Sequence, residues 1–145
     1  METSKEGLEF ITVLEGKRNK AYLDTNKKWT TGVGHLIILP KEEELIKKVL
    51  TNQEVLNLLK GDLKIAEKAV NSLVKVPLTQ NQFDALVSLT FNIGIGNLKI
   101  SSVLRFINLK QEDKIEQSWL AWRFSAEKPI LLDRRIKEYT LFKNK

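Results

Sequence analysis

Glu15, Asp24 and Thr30 fall in one short stretch of the chain, nine and then six positions apart, and Gly32, Gly34 and His35 follow directly. Two carboxyl groups and a hydroxyl so close in sequence could hydrolyse a glycosidic bond. That reaction needs an acid to protonate the leaving oxygen and a carboxylate to activate water or to stabilise oxocarbenium-like charge. A glutamate that titrates near ~4.3 is mostly ionised at neutral pH, so the acid has to be made harder to ionise by burial, by a nearby negative charge or by the carbonyl end of a helix. Gly16 is a natural helix stop, which places Glu15 in the last turn of a helix. Asp24 stands at the rim of a turn, where it is solvated and ionised, and the Thr30 hydroxyl can help it position one water. Gly32 and Gly34 allow close backbone approach to a ligand because no Cβ intervenes.

Simpler readings compete with these. A lone Glu/Asp pair is usually a solvated surface pair. His35 is more often a structural histidine held by a neighbouring carboxylate than a proton donor. Trp29, Trp119 and Trp122 could stack on sugar rings, yet aromatic residues at such spacings are more often core.

The elements that must position these groups follow from the pattern. Thr3 and Glu6 offer a capping box for a helix whose apolar residues Leu8, Ile11 and Leu14 recur at helical spacing. From Lys20 to Leu36 the residues Tyr22, Leu23, Trp29, Thr30, Thr31 and Val33 favour strands around a turn at 24–28, which predicts a small hairpin or meander. After Pro40 the pattern is helical: residues 42–50, then residues 53–73 behind Thr51 with Gly61 as the weak point, then residues 79–91 apolar on more than one face. Ser101 or Ser102 caps residues 103–109, and residues 111–124 and 130–142 complete the set. The prediction is an α+β, mostly helical single domain over residues 1–145. A small β-containing lobe (about 15–52) is joined by a long helix (about 53–73) to a helical lobe made of residues 1–14 and 74–145.

Composition narrows the function. Cysteine is absent and there is one histidine, which removes disulfides, thiolate nucleophiles and the common metal-ligand sets; no metal or other cofactor is expected. The N-terminal residues are too polar and too short in apolar run for a signal peptide or a membrane span. The net charge of +6 favours a polyanionic partner, of which nucleic acid, anionic lipid and the acidic cell wall all qualify. No recognition-helix motif, aromatic RNA-binding strand or zinc finger accompanies that charge, so no nucleic-acid partner is expected. The C-terminal stretch carries Lys128, Arg134, Arg135, Lys137, Lys143 and Lys145 beside Leu131, Leu132, Ile136, Tyr139, Leu141 and Phe142. Such a segment could dock on an anionic outer membrane, although a last helix packed by its apolar side is the commoner outcome.

The run from Glu15-Gly16 through Ala21-Tyr22-Leu23-Asp24 to Trp29-Thr30-Thr31-Gly32-Val33-Gly34-His35 resembles the phage-type lysozymes, the muramidases of glycoside hydrolase family 24. The resemblance continues through residues 78–89, Phe91-Asn92-Ile93-Gly94, residues 101–105 and Arg134-Arg135, and so covers almost the whole chain. It implies cleavage of the β-1,4 bond between N-acetylmuramic acid and N-acetylglucosamine in peptidoglycan, with Glu15 as general acid and Asp24 and Thr30 acting on water. Leu36, Phe91 and Asn92 match positions that line the family's cleft. The resemblance also implies an endolysin that waits in the host cytoplasm, reaches the wall once a separate pore-forming protein releases it, and frees phage progeny by lysis; nothing in the chain suggests more than a monomer. An inverting member would hold its carboxylates roughly 6.5–9.5 Å apart, with water between them. The chain departs from the family at Thr31, where many relatives carry Ile, and at Val33, where an aromatic is common. An inactive wall-binding module would require one of the three catalytic positions to be misplaced.

Overall fold

The first helix, α1 (Lys5–Glu15), begins behind Ser4, whose hydroxyl accepts the Gly7 N–H at 3.0 Å. The capping box expected from Thr3 and Glu6 does not form. Thr3 is claimed elsewhere: its N–H and its hydroxyl both donate to the buried carboxylate of Glu67, at 2.7 and 2.5 Å. The computed structural model describes every residue from Met1 to Lys145. It is α+β and mostly helical, with three short strands, and it divides into two compact units, one of Leu8–Asp62 and one of Met1–Gly7 with Leu63–Lys145.

In the first unit, β1 (Arg18–Leu23), β2 (Trp29–Gly32) and β3 (His35–Leu36) form an antiparallel meander in the order β1-β2-β3. Helix α2 (Asn52–Asp62) lies on the sheet and buries Val55 and Leu59, which join Val33, Ile37 and Leu50 in a small core. Residues 42–50 are not the helix that their pattern predicts. Only Glu43–Ile46 keeps a single 3-10 turn, because the chain beyond is drawn out along β1. Lys20 bridges to Val49, and Leu50 and Asn19 exchange two hydrogen bonds, one from the Leu50 N–H and one from the Asn19 amide, at 2.6 and 2.7 Å. Burying Leu50 outweighs the local helical preference.

The long helix expected over 53–73 is two helices, α2 and then α3 (Lys64–Leu73), with Leu63 between them. The interruption is mild, since Leu63 keeps right-handed angles and its carbonyl still accepts the Glu67 N–H at 2.8 Å. It falls just after Gly61, the poorest helix former in the stretch, and after Asp62, whose carboxylate is held by His35.

The second unit is helical: α4 (Gln80–Ile93), α5 (Ile95–Ile100), α6 (Ser102–Asn108), α7 (Glu112–Leu120) with a 3-10 turn at Ala121–Arg123, and α8 (Leu132–Lys143) follow α3. Helix α4 is its centre, buried from Gln82 to Thr90 and capped by a reciprocal Thr79–Gln82 box, so apolar residues on several faces find neighbours. Ser101 caps α6, as its position suggests, whereas α5 leaves no sequence signal beyond Gly94. Helix α8 packs on α4 and α7 through an ionic core. Glu138 is fully buried and accepts from Ser88, Trp119 and Arg134 at 2.6, 3.3 and 3.0 Å, with the Arg135 guanidinium at 3.1 Å. Arg134 and Arg135 are therefore withdrawn from the cationic surface that the sequence of this helix suggests, and Lys137 and Lys145 pair with Asp133 and Glu112. No helix is long and apolar enough to cross a membrane.

Candidate active site

The first unit carries Glu15, Asp24 and Thr30 together. Glu15 is the last residue of α1, and Gly16 follows it in the left-handed region at φ +76°, where its N–H closes the helix on the Thr12 carbonyl at 2.9 Å. The chain then enters β1 after Lys17. Glu15 is exposed at the carbonyl end of the helix.

Asp24 and Thr30 are tied to the main chain of the same residue, Lys28. The Asp24 Oδ1 accepts the N–H of Lys28 and that of Asn26, both at 2.8 Å, while the Thr30 hydroxyl donates to the Lys28 carbonyl at 3.2 Å. Two main-chain bonds between Asp24 and residues 27 and 28, at 2.9 Å each, close the turn, and Lys27 takes its left-handed position at φ +59°. No protein group bonds the Asp24 Oδ2, which leaves that oxygen for water. Thr30 pairs with Tyr22 in β1 and Leu36 in β3, so the sheet fixes the hydroxyl while the turn fixes the carboxylate.

Gly32 and Gly34 both adopt positive φ, +62° and +65°, in the tight turn between β2 and β3. They line a polar hollow of ≈ 500 Å³ with Glu15, Gly16, Lys17, Arg18 and Tyr22. A larger hollow of ≈ 760 Å³ in the helical unit, beside Phe106 and Trp122, is lined by no carboxylate and so has no acid for this chemistry.

His35 sits between two carboxylates: Nδ1 lies 2.8 and 3.0 Å from the oxygens of Asp62, and Nε2 lies 3.1 Å from Glu42. Burial disfavours its charge, but the hydrogen bonds to Asp62 and Glu42 and their negative charges outweigh this and raise its pKa. Glu42 is held below the usual carboxylate range by the Ile38 N–H and, next, by His35. This group fastens β3 to α2 and to the segment that follows β3. It leaves His35 no free nitrogen for proton transfer.

Leu36 is half exposed in β3 of the same unit. Phe91 and Asn92 belong to the last turn of α4 in the other unit, where the Asn92 side-chain oxygen accepts from Arg135 at 2.5 Å. Trp119 is core, meeting the Tyr139 ring edge-on and the Phe142 ring at a tilt, while Trp29 is half buried in β2. Sequence reasoning does not single out Lys17, Arg18 and Tyr22 as one group, because the pairing of β1 with β2 slips between Arg18 and Tyr22. Four steps along β1 there match two along β2, a distortion without a sequence signature.

The phage lysozyme family model matches residues 12–138. The chain belongs to the phage lysozyme family. It is 41% identical to the endolysin of Salmonella phage P22 over 143 residues, 98% of each chain. The crystal structure of a P22 lysozyme mutant superposes with a TM-score of 0.92 at 40% identity, covering 99% of both chains, which makes the fold that of a lysozyme. The muramidase domain of SpmX from Asticaccaulis excentricus follows at 0.84 and 35%, again over 99% of both. As a phage lysozyme of the endolysin type, the chain is a peptidoglycan hydrolase that acts on the bacterial cell wall.

Proposed function

We propose that this phage lysozyme is a muramidase that cleaves the β-1,4 bond between N-acetylmuramic acid and N-acetylglucosamine, with Glu15 as general acid and Asp24 and Thr30 acting on water. The observation that carries the reading is the main chain of Lys28. Its N–H holds one Asp24 oxygen and its carbonyl takes the Thr30 proton. Asp24 thus keeps one oxygen to accept a proton from water, and Thr30 keeps its oxygen lone pairs to accept a second hydrogen bond. A water held by both loses rotational freedom before it attacks, which is how a positioned nucleophile lowers the barrier. Glu15, at the helix end beside the same turn-rich sheet, supplies the proton for the leaving oxygen.

An Asp24 that activates water rather than attacking the sugar implies inversion at the anomeric carbon. Leu36, Phe91 and Asn92 are assigned to glycan binding. The lysozyme acts as a monomer, is held in the host cytoplasm before release, and frees phage progeny by lysis.

Clearing of peptidoglycan suspensions by the Glu15→Gln variant, with reducing ends identified by mass spectrometry, tests the assignment. Loss of a general acid costs ~10²–10⁴ in rate. Undiminished clearing would remove Glu15 from the mechanism, and N-acetylglucosamine at the new reducing ends would contradict the bond assignment.

A further inference from the structure

We propose that Arg18, supported by Lys17, forms a carboxylate-binding subsite beside Glu15, so that the hydrolase selects acidic wall glycan over neutral glycan; this deepens the muramidase reading and rests on it. The hollow that holds Glu15 also presents the side chains of Lys17, Arg18 and Tyr22, two cations against a single carboxyl group. Neither cation has an acidic partner. The Lys17 ammonium rests on the side-chain oxygens of Asn52 and Asn19. The Arg18 guanidinium lies over the Tyr22 ring at 4.4 Å.

Neutral partners of this kind fix a cation in place without cancelling its charge. A lysine or arginine that merely solubilises a surface gains nothing by being held, because immobilising a long side chain costs rotamer freedom. Here the holding is built into the fold. The slip in strand pairing between Arg18 and Tyr22 brings the guanidinium over the ring. A guanidinium stacked by its face keeps the N–H groups on its edge, and those edge donors match the two oxygens of a carboxylate in one plane.

A neutral polysaccharide offers hydroxyls and acetamido groups, which cannot supply that charged pair of acceptors. The wall polymer offers the carboxylates of the acidic residues in its peptide stem, and a free lactyl carboxylate only on muramic acid that carries no stem, since the stem is joined to that group as an amide. Either would accept from the edge donors of Arg18 while the sugar bond lies against Glu15.

The test measures initial rates against wall concentration on three substrates: native wall, wall whose carboxylates are capped with methylamide, and glycan stripped of peptide stems by an amidase. The intact protein is compared with Arg18→Met and with Lys60→Met, which removes an equal charge from the exposed end of α2. Losing one charge-assisted contact corresponds to a rise in KM of about tenfold or more with kcat little changed. The intact protein and Lys60→Met are expected to show that rise on capped wall, and Arg18→Met is expected to show the same high KM on native and capped wall alike. Stripping frees a lactyl carboxylate that the stem otherwise occupies as an amide: a KM on stripped glycan as low as on native wall, and raised by Arg18→Met, means that a lactyl carboxylate also fills the subsite, whereas a KM as high as on capped wall means that the subsite reads the stem. If Arg18→Met discriminates as the intact protein does, or Lys60→Met loses discrimination equally, net charge explains the preference and the subsite is overturned. Cosedimentation with native and capped wall, in a Glu15→Gln background, reads the subsite without any bond being cut. A failure of the muramidase reading, seen as no muramic acid at new reducing ends, is thereby separated from a failure of this one.

Discussion

Replacing Asp62 with Asn should make the stability of the fold respond to pH in a way that its neighbours dictate. The side chains of His35, Glu42 and Asp62 are 11%, 22% and 30% exposed, so the charges are only partly screened. His35 titrates above its ordinary value near 6.5 because the contacts to Asp62 and Glu42 outweigh its burial. A base whose pKa is higher folded than unfolded adds stability that is complete below pH 6.5 and disappears as pH rises through the folded value. Glu42, held below 4.5, adds stability that is present above that pH and disappears as pH falls through its folded value. The pairing therefore contributes most between about pH 4.5 and 6.5. Asp62→Asn keeps an oxygen that can accept from Nδ1 but removes the charge. A charge-assisted hydrogen bond contributes ~1.5–3 kcal/mol net, and the partial exposure of Asp62 argues for the lower half of that range. Urea unfolding of both proteins at about pH 5.5 and pH 9.5 should show a difference of ~1–2 kcal/mol at the lower pH that shrinks at the higher one. A difference that is constant between the two, or larger at pH 9.5, would refute the assignment of the charged pair.

Thr31 is fully buried with a hydroxyl that has no hydrogen-bond partner, so Thr31→Val should stabilise the protein by ~1 kcal/mol and raise Tm by ~2–4 °C, read by calorimetry. A lower Tm would point to a bonded hydroxyl. Gly7→Ala should destabilise by ~2 kcal/mol or more, because the added Cβ would lie 2.5 Å from the Asp84 carboxyl carbon and 2.8 Å from a Thr3 methyl group; a urea midpoint equal to that of the parent would contradict the close approach. Glu138→Ala removes the shared acceptor of Ser88, Trp119 and the two arginines of α8 and should cost ~3–5 kcal/mol, seen as a large fall in the denaturant midpoint at unchanged slope; a loss under 1 kcal/mol would mean that the ionic core relaxes easily.

How much could be read from the chain depends on the reach of each signal. Thr79 and Gln82, three residues apart, cap α4 in the structure as any Thr-x-x-Gln pair before an apolar run can, and Gly16 closes α1. The meander was legible in the β-branched and aromatic residues between 20 and 36. Thr3 looked like the better cap for α1, but Glu67, sixty-four residues away, takes its hydroxyl and leaves the cap to Ser4. Residues 42–50 have a helical pattern that the pull of Asn19 and Lys20 overrides. Of the site, the residue types and spacing of Glu15, Asp24 and Thr30 were open to reading, whereas the Lys28 main chain that joins two of them appears only once the turn is folded.

By itself, then, the sequence of this lysozyme determined its helix stop at Gly16, its caps at Thr51 and Ser101, its strand-rich segment and the order in which the chemical groups occur. These depend on bonds that span about four residues, which any window of the chain contains. Tertiary structure alone decided which partner holds His35, that Arg134 and Arg135 face inward to Glu138, and that Arg18 meets Tyr22 across a slipped pairing. Those outcomes turn on burial and on charge neutralisation among groups brought together from distant or irregular positions, and the energies involved exceed the ~0.5–1 kcal/mol that local preference can set against them.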